Sequence, residues 1–215
     1  MIKHILFDCD GVLIDTEIVA AEVVSGWLNT QGMSITVDDF ILNYTGKTFT
    51  DIIGILKAEK HLPESLDTVT IVPTLDRGIK DNMRPINGVH QMLASIKTPV
   101  SAVSNSAKDY VLEALEMLHV SEQFGGRVFS AEMVPKGKPN PAVYELALET
   151  LGLNKDEVIV VEDSVAGVTA SVGAGLKTIG YLGGSHIREG HAETLEALGT
   201  SGLATNYDEL LEYLQ

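Results

Sequence analysis

Five short apolar runs, at residues 2–7, 99–104, 127–131, 158–161 and 178–182, alternate along the chain with helical patterns, and this alternation leaves few architectures open. Strands that are apolar at consecutive positions suit a sheet buried on both faces, the situation of a parallel sheet covered by helices. The expectation is therefore an α/β fold whose functional groups gather at the carboxyl ends of the strands. The clearest helix covers residues 141–151: Val143, Leu146, Ala147 and Leu151 mark one face, Asn140 can cap, Pro141 suits the first turn and Gly152 can end it. Asn206 and Glu209 offer a capping box for a last helix, Tyr207–Leu214.

The first two runs are much farther apart than one crossover helix requires. An inserted helical cap is the economical explanation. Residues 18–28 and 49–61 read as helices, 69–72 is ambiguous, and the chain re-enters the core at Pro85-Ile86-Asn87-Gly88. The expected organisation is a core of residues 1–15 and 85–215 with a cap of residues 16–84.

Fifteen Lys and Arg stand against 30 Asp and Glu, so the formal charge is −15 over 215 residues. Such a surface repels nucleic-acid backbones and anionic lipid, which argues against either as the main partner. A small phosphorylated metabolite could still enter a locally positive site. The single cysteine excludes an internal disulfide and suits a reducing compartment. No apolar run reaches the length of a signal sequence or membrane span, and a cytoplasmic location is expected.

Four polar clusters stand at the predicted strand ends. Asp8-Cys9-Asp10-Gly11 closes the first run. Residues two apart share one face of a strand, about 7 Å apart, so Asp8 and Asp10 point together while Cys9 turns away. Carboxylates that close favour a cation between them, and one could attack while the other carries a proton. Ser104-Asn105-Ser106 follows the second run, where a hydroxyl and main-chain donors can hold a phosphate oxygen. Lys138 lies between Gly137 and Pro139 just before a helix start, and Pro139 and Pro141 stiffen its loop. Glu162-Asp163-Ser164 ends the most apolar run with two acids and a cap, and acids converging with the first pair would suit Mg²⁺. Each cluster also has a plain reading: a solvated acidic loop, turn serines, a solvated lysine, helix-capping acids.

Together these residues resemble the four motifs of the haloacid dehalogenase superfamily, in order: Asp8-Cys9-Asp10-Gly11-Val12, then Ser104, then Lys138-Pro139, then Glu162-Asp163-Ser164 with Gly167. The resemblance spans nearly the whole chain and is to the capped phosphatase and phosphomutase branch. It implies a Rossmann-like core, an inserted helical cap and Mg²⁺. It implies Asp8 as the nucleophile forming an aspartyl-phosphate, and Asp10 as the acid that protonates the leaving oxygen and then activates water. Ser104, Asn105 and Lys138 are the implied phosphate-binding residues. Asp8, the main-chain carbonyl of Asp10, and Asp163 are the implied metal ligands, with Glu162 at or near them. A cap loop at Gly46, Lys47 and Thr48 is the implied substrate-selecting element, with helix capping as the alternative for Lys47 and Thr48.

Rival readings weaken on particular residues. A cysteine phosphatase would need Arg where Asp15 stands, and Gly46-Lys47-Thr48 lacks the P-loop glycine, because position 41 is Ile. His186 and His191 read as surface residues. A β-phosphoglucomutase-type isomerase remains the nearest alternative, but such mutases usually carry a histidine where Ala20 stands here. Dehalogenases lack the second acid of the first motif, which Asp10 supplies. A silent phosphometabolite-binding protein should have lost one of Asp8, Asp10, Lys138 or Asp163, and all four are present.

Overall fold

The computed structural model describes residues 1–44 and 47–214. Six parallel strands form one sheet: β1 (His4–Phe7), β2 (Val100–Ser104), β3 (Val128–Ser130), β4 (Val158–Glu162), β5 (Lys177–Tyr181) and β6 (Gly202–Ala204), in the order β3-β2-β1-β4-β5-β6. β1 is central, with Ile5 opposite Val100 on one side and Ile159 on the other. Every residue of β1, β2 and β4 is buried, as expected for strands covered on both faces. On one face Leu6, Val103, Phe129, Val158 and Val160 pack with Val143, Tyr144 and Ala147 of the helix Ala142–Leu151 and with Ala170 of the helix Val165–Gly173. The helix Tyr207–Leu214 packs against β5, β6 and the helix Val89–Ser95.

All five expected strands form, within a residue or two of their expected ends. β6 was not expected, because a three-residue edge strand of Gly, Leu and Ala is too short to show a pattern. Gly152 ends the helix Ala142–Leu151 in the left-handed conformation, and Asn140 accepts the Ala142 N–H at 3.1 Å. At the last helix Asn206 accepts the Glu209 N–H at 3.0 Å. Glu209 reaches back to the Thr205 N–H at 2.7 Å instead of to that of Asn206, so the capping box is displaced by one residue.

The chain divides into two compact units: Met1–Asp15 with the chain from Pro85 onward, and Thr16–Arg84. In the first unit Ile14 bridges Pro85 and the Ile86 N–H donates to the Leu13 carbonyl at 3.1 Å, which closes the core across the insertion. The second unit holds the helices Thr16–Thr30, Val37–Tyr44, Phe49–Ala58 and Thr68–Asp81 around a core that includes Ala21, Val24, Leu28, Ile41, Ile53 and Leu56. Residues 69–72 are helical, because the Asp67 side chain caps the Val69 N–H and Leu75 and Ile79 provide a buried face. Among the described residues no helix is long and apolar enough to cross a membrane.

Candidate active site

Three strand ends build the site, and Lys138 joins them. Its ammonium donates to Asp8 Oδ1 at 2.7 Å, to Glu162 Oε1 at 2.5 Å and to the Val103 carbonyl at 2.7 Å, which uses all three protons. Lys138 is only 8% exposed, Asp8 7% and Glu162 0%. Burial alone would lower the lysine's pKa, but the Asp8 and Glu162 carboxylates hold it well above its ordinary value, so the ammonium stays charged. Burial, then the Glu162 charge, push the Asp8 carboxyl well above the usual range, against the pull of Lys138.

Tyr144 completes this buried group. Its hydroxyl donates to Glu162 Oε1 at 2.8 Å, and its ring lies 5.3 Å from the Lys138 ammonium. Ser164 donates its hydroxyl to Glu162 Oε2 at 3.1 Å and accepts the Gly167 N–H at 2.9 Å, capping the next helix. The close approach needs glycine at 167, where a Cβ would lie 1.9 Å from the Glu162 carboxyl carbon.

A carboxylate oxygen from each of Asp8, Glu162 and Asp163 lies within 4.8 Å of the other two, and all three residues are buried. The Lys138 ammonium pairs with two of these acids, Asp8 and Glu162, and not with Asp163. An all-oxygen donor set with uncompensated negative charge fits a hard divalent cation such as Mg²⁺. Glu162 contributes to the cluster while its oxygens also serve Lys138, Tyr144 and Ser164.

Asp10, beside Gly11 in the chain, is partly exposed. Ser106 donates to its Oδ2 at 2.8 Å, with Ser104 Oγ farther from the same oxygen at 3.4 Å, and Tyr110 OH lies 3.4 Å from Oδ1. Asn105 spends its side chain on the main chain of Lys138: Oδ1 accepts the N–H at 2.8 Å and Nδ2 donates to the carbonyl at 2.9 Å. Its side-chain amide thus holds the lysine loop. Ser104 is buried and accepts the Ser106 N–H at 2.9 Å. Cys9 is fully buried and its thiol is pushed well above its usual pKa by burial, as a packed core residue should be.

The histidine expectation requires correction. His186 is buried, with Nε2 3.1 Å from Asp163 Oδ2, and His191 Nε2 lies 2.6 Å from the Asp163 carbonyl. His186 is packed inside and His191 is half-buried, because the segment after β5 folds back onto the end of β4. Of the cap residues, Thr48 accepts the Asp51 N–H at 3.1 Å as a helix cap, and Lys47 donates to the Asn43 carbonyl at 3.1 Å. Both line a pocket of about 290 Å³ within the second unit, together with Glu17, Phe40, Tyr44, Phe49 and Ile52. Gly46 lies outside the described residues.

The model of the family described as haloacid dehalogenase-like hydrolase matches residues 5–181. The chain belongs to that family. It is 24% identical over 86% of its length to 6-phosphogluconate phosphatase of Escherichia coli, of which 85% is covered. It is 28% identical over 82% of its length to a phosphorylated carbohydrates phosphatase of Thermotoga maritima, of which 83% is covered. Among solved structures, a haloacid dehalogenase family hydrolase from Deinococcus radiodurans with bound phosphate and sodium superposes with a TM-score of 0.88 at 26% identity, covering 99% of this chain and 95% of that one. The haloacid dehalogenase fold with its parallel sheet is thus established for this hydrolase. Tyr110, Tyr144, His186 and His191 are the site residues that sequence reading missed. Tyr144 alone left a trace, lying beside Val143 on the apolar face of the helix that follows Lys138.

Proposed function

We propose that this chain is a Mg²⁺-dependent phosphatase that hydrolyses a small phosphate monoester, a sugar or sugar-acid phosphate, through an aspartyl-phosphate on Asp8. The observation that carries the reading is the Asp8 carboxylate at the end of the central strand, buried, gripped by Lys138 at 2.7 Å and grouped with Asp163 and Glu162. The phosphorylated sugars and sugar acids named for the two curated relatives support the substrate class.

With Oδ1 held by Lys138, the Asp8 carboxylate has a fixed plane from which to attack phosphorus. A bond forms between a carboxylate oxygen of Asp8 and phosphorus, and the ester P–O bond breaks. The departing alkoxide takes a proton from Asp10. In the second step Asp10 accepts a proton from water as the water oxygen attacks phosphorus, and the Asp8–phosphorus bond breaks to release inorganic phosphate. Ser106 orients the Asp10 carboxylate for both transfers. Ser104 and Lys138 supply donors to the phosphoryl oxygens, Lys138 by exchanging one of its present partners. Asp8, Asp163 and the Asp10 carbonyl would hold Mg²⁺ beside Glu162, and when bound the ion supplies positive charge for the transferring group.

The test is release of inorganic phosphate from p-nitrophenyl phosphate and from a panel of sugar and sugar-acid phosphates, with Mg²⁺ and with EDTA. Turnover should require the metal and disappear in Asp8→Asn while circular dichroism is unchanged. Substantial activity in that variant contradicts the assignment of the nucleophile. Isomerised hexose phosphate in place of free phosphate would reassign the chain to the mutases, an outcome that Ala20 weighs against.

A further inference from the structure

We infer that His186 and His191 are positioning residues that lock Asp163 from both ends for cation binding, an inference that rests on the Mg²⁺-dependent reading above. His186 presents Nε2 to the Asp163 carboxylate at 3.1 Å, and its side chain is only 8% exposed. His191 presents Nε2 to the Asp163 main-chain carbonyl at 2.6 Å. A carbonyl and a carboxylate only accept, so each imidazole faces Asp163 with its Nε2–H. One ring fixes the carboxylate and the other fixes the backbone that carries it.

The slot that His186 fills exists because two residues lack side chains. A Cβ on Gly11 would lie 1.9 Å from Asp163 Oδ2 and 3.0 Å from His186 Cε1. A Cβ on Gly184 would lie 2.8 Å from His186 Cε1 and 3.0 Å from the Gly11 carbonyl. The loop that carries the ring is anchored separately: the Ser185 N–H donates to Asp15 Oδ1 at 3.2 Å, and its hydroxyl donates to Asp15 Oδ2. Asp15 is itself buried, so the anchor is firm. A ligating carboxylate held by donors needs no ordering when the cation arrives, and losing such a support typically weakens metal affinity by 10-fold to 100-fold.

The experiment is calorimetric titration of MgCl₂ into EDTA-stripped protein, with kcat and KM for p-nitrophenyl phosphate measured at saturating Mg²⁺. His186→Leu should raise the Mg²⁺ Kd by about tenfold or more. His186→Gln, which keeps an N–H in reach of Oδ2, should recover most of that loss, and KM should change little. A folded His186→Leu variant whose Kd rises by less than that, or a Gln variant as weak as the Leu variant, overturns the inference. Should His186→Leu not fold, the same titration on His191→Ala decides, with about tenfold weakening in support and any smaller change against. No Mg²⁺ uptake by the wild type removes the metal reading and this inference together, whereas wild-type uptake with unaffected variants removes this inference alone.

Discussion

Replacing Lys138 with Met keeps much of the volume and removes one buried charge. Asp8 and Glu162 then face each other without their shared cation, and the Val103 carbonyl loses its 2.7 Å donor. Removing one partner of a buried ion pair costs about 3–5 kcal/mol, because the remaining charge is left uncompensated in low dielectric. Part of that loss is escapable: the Asp8 carboxyl is already raised well above the usual range by burial and Glu162, so taking up a proton relieves the repulsion. The loss should therefore be largest at neutral and alkaline pH and shrink as pH falls. Adding Glu162→Gln to Lys138→Met removes one of the two negative charges and should restore about half of the loss. Urea denaturation in EDTA reads these differences as shifts in midpoint at constant slope. A Lys138→Met loss below about 1 kcal/mol at neutral pH, or a double variant no more stable than the single one, would refute the reasoning.

Tyr144→Phe removes the 2.8 Å bond to Glu162 and should cost about 1.5–3 kcal/mol in thermal denaturation, as for other bonds to buried charged groups. Gly167→Ala places a Cβ 1.9 Å from the Glu162 carboxyl carbon, so Glu162 must leave Lys138; a loss of at least about 3 kcal/mol is expected, together with loss of phosphatase activity. Gly54→Ala, in the helix Phe49–Ala58 with nothing within 4 Å of the new Cβ, should instead gain about 0.5–1 kcal/mol by urea denaturation. His4, 2.8 Å from Ser101, is pushed down from 6.5 to about 4 by burial and then by the nearby Arg127 charge. Its folded pKa lies below its unfolded one, so its contribution is complete above about pH 6.5 and is lost as pH falls through about 4. His4→Gln should flatten the stability difference across that window by about 3 kcal/mol, the linkage value for a fall of that size.

The sheet was legible because β1, β2 and β4 are buried at every position and are therefore built mostly of apolar residues, with only His4, Ser101, Ser104 and Glu162 as exceptions. The acids were legible because they close those runs, and Lys138 because it stands beside two prolines just before a helix start. What stayed hidden depends on contacts between distant residues. Nothing near Tyr144 in sequence says that its hydroxyl meets Glu162, and nothing near His186 points to Asp163. The side-chain bonds of Asn105 to the main chain of Lys138 span two helices, β3 and a short 3-10 turn, so nothing local announces them. The helix Thr68–Asp81 was obscured by a β-branched run and by Pro73, and packing of Leu75 and Ile79 overrode both.

The central place of β1 has a consequence for the order of synthesis. β1 is made before the other strands of its sheet and must wait for Val100–Ser104 and then for Val158–Glu162 before both of its edges are paired. Until then β1 keeps an open edge, and before Lys138 is made Asp8 also lacks its lysine counter-ion. Nascent chains arrested before residue 158 should therefore depend most on chaperones, and later arrests much less.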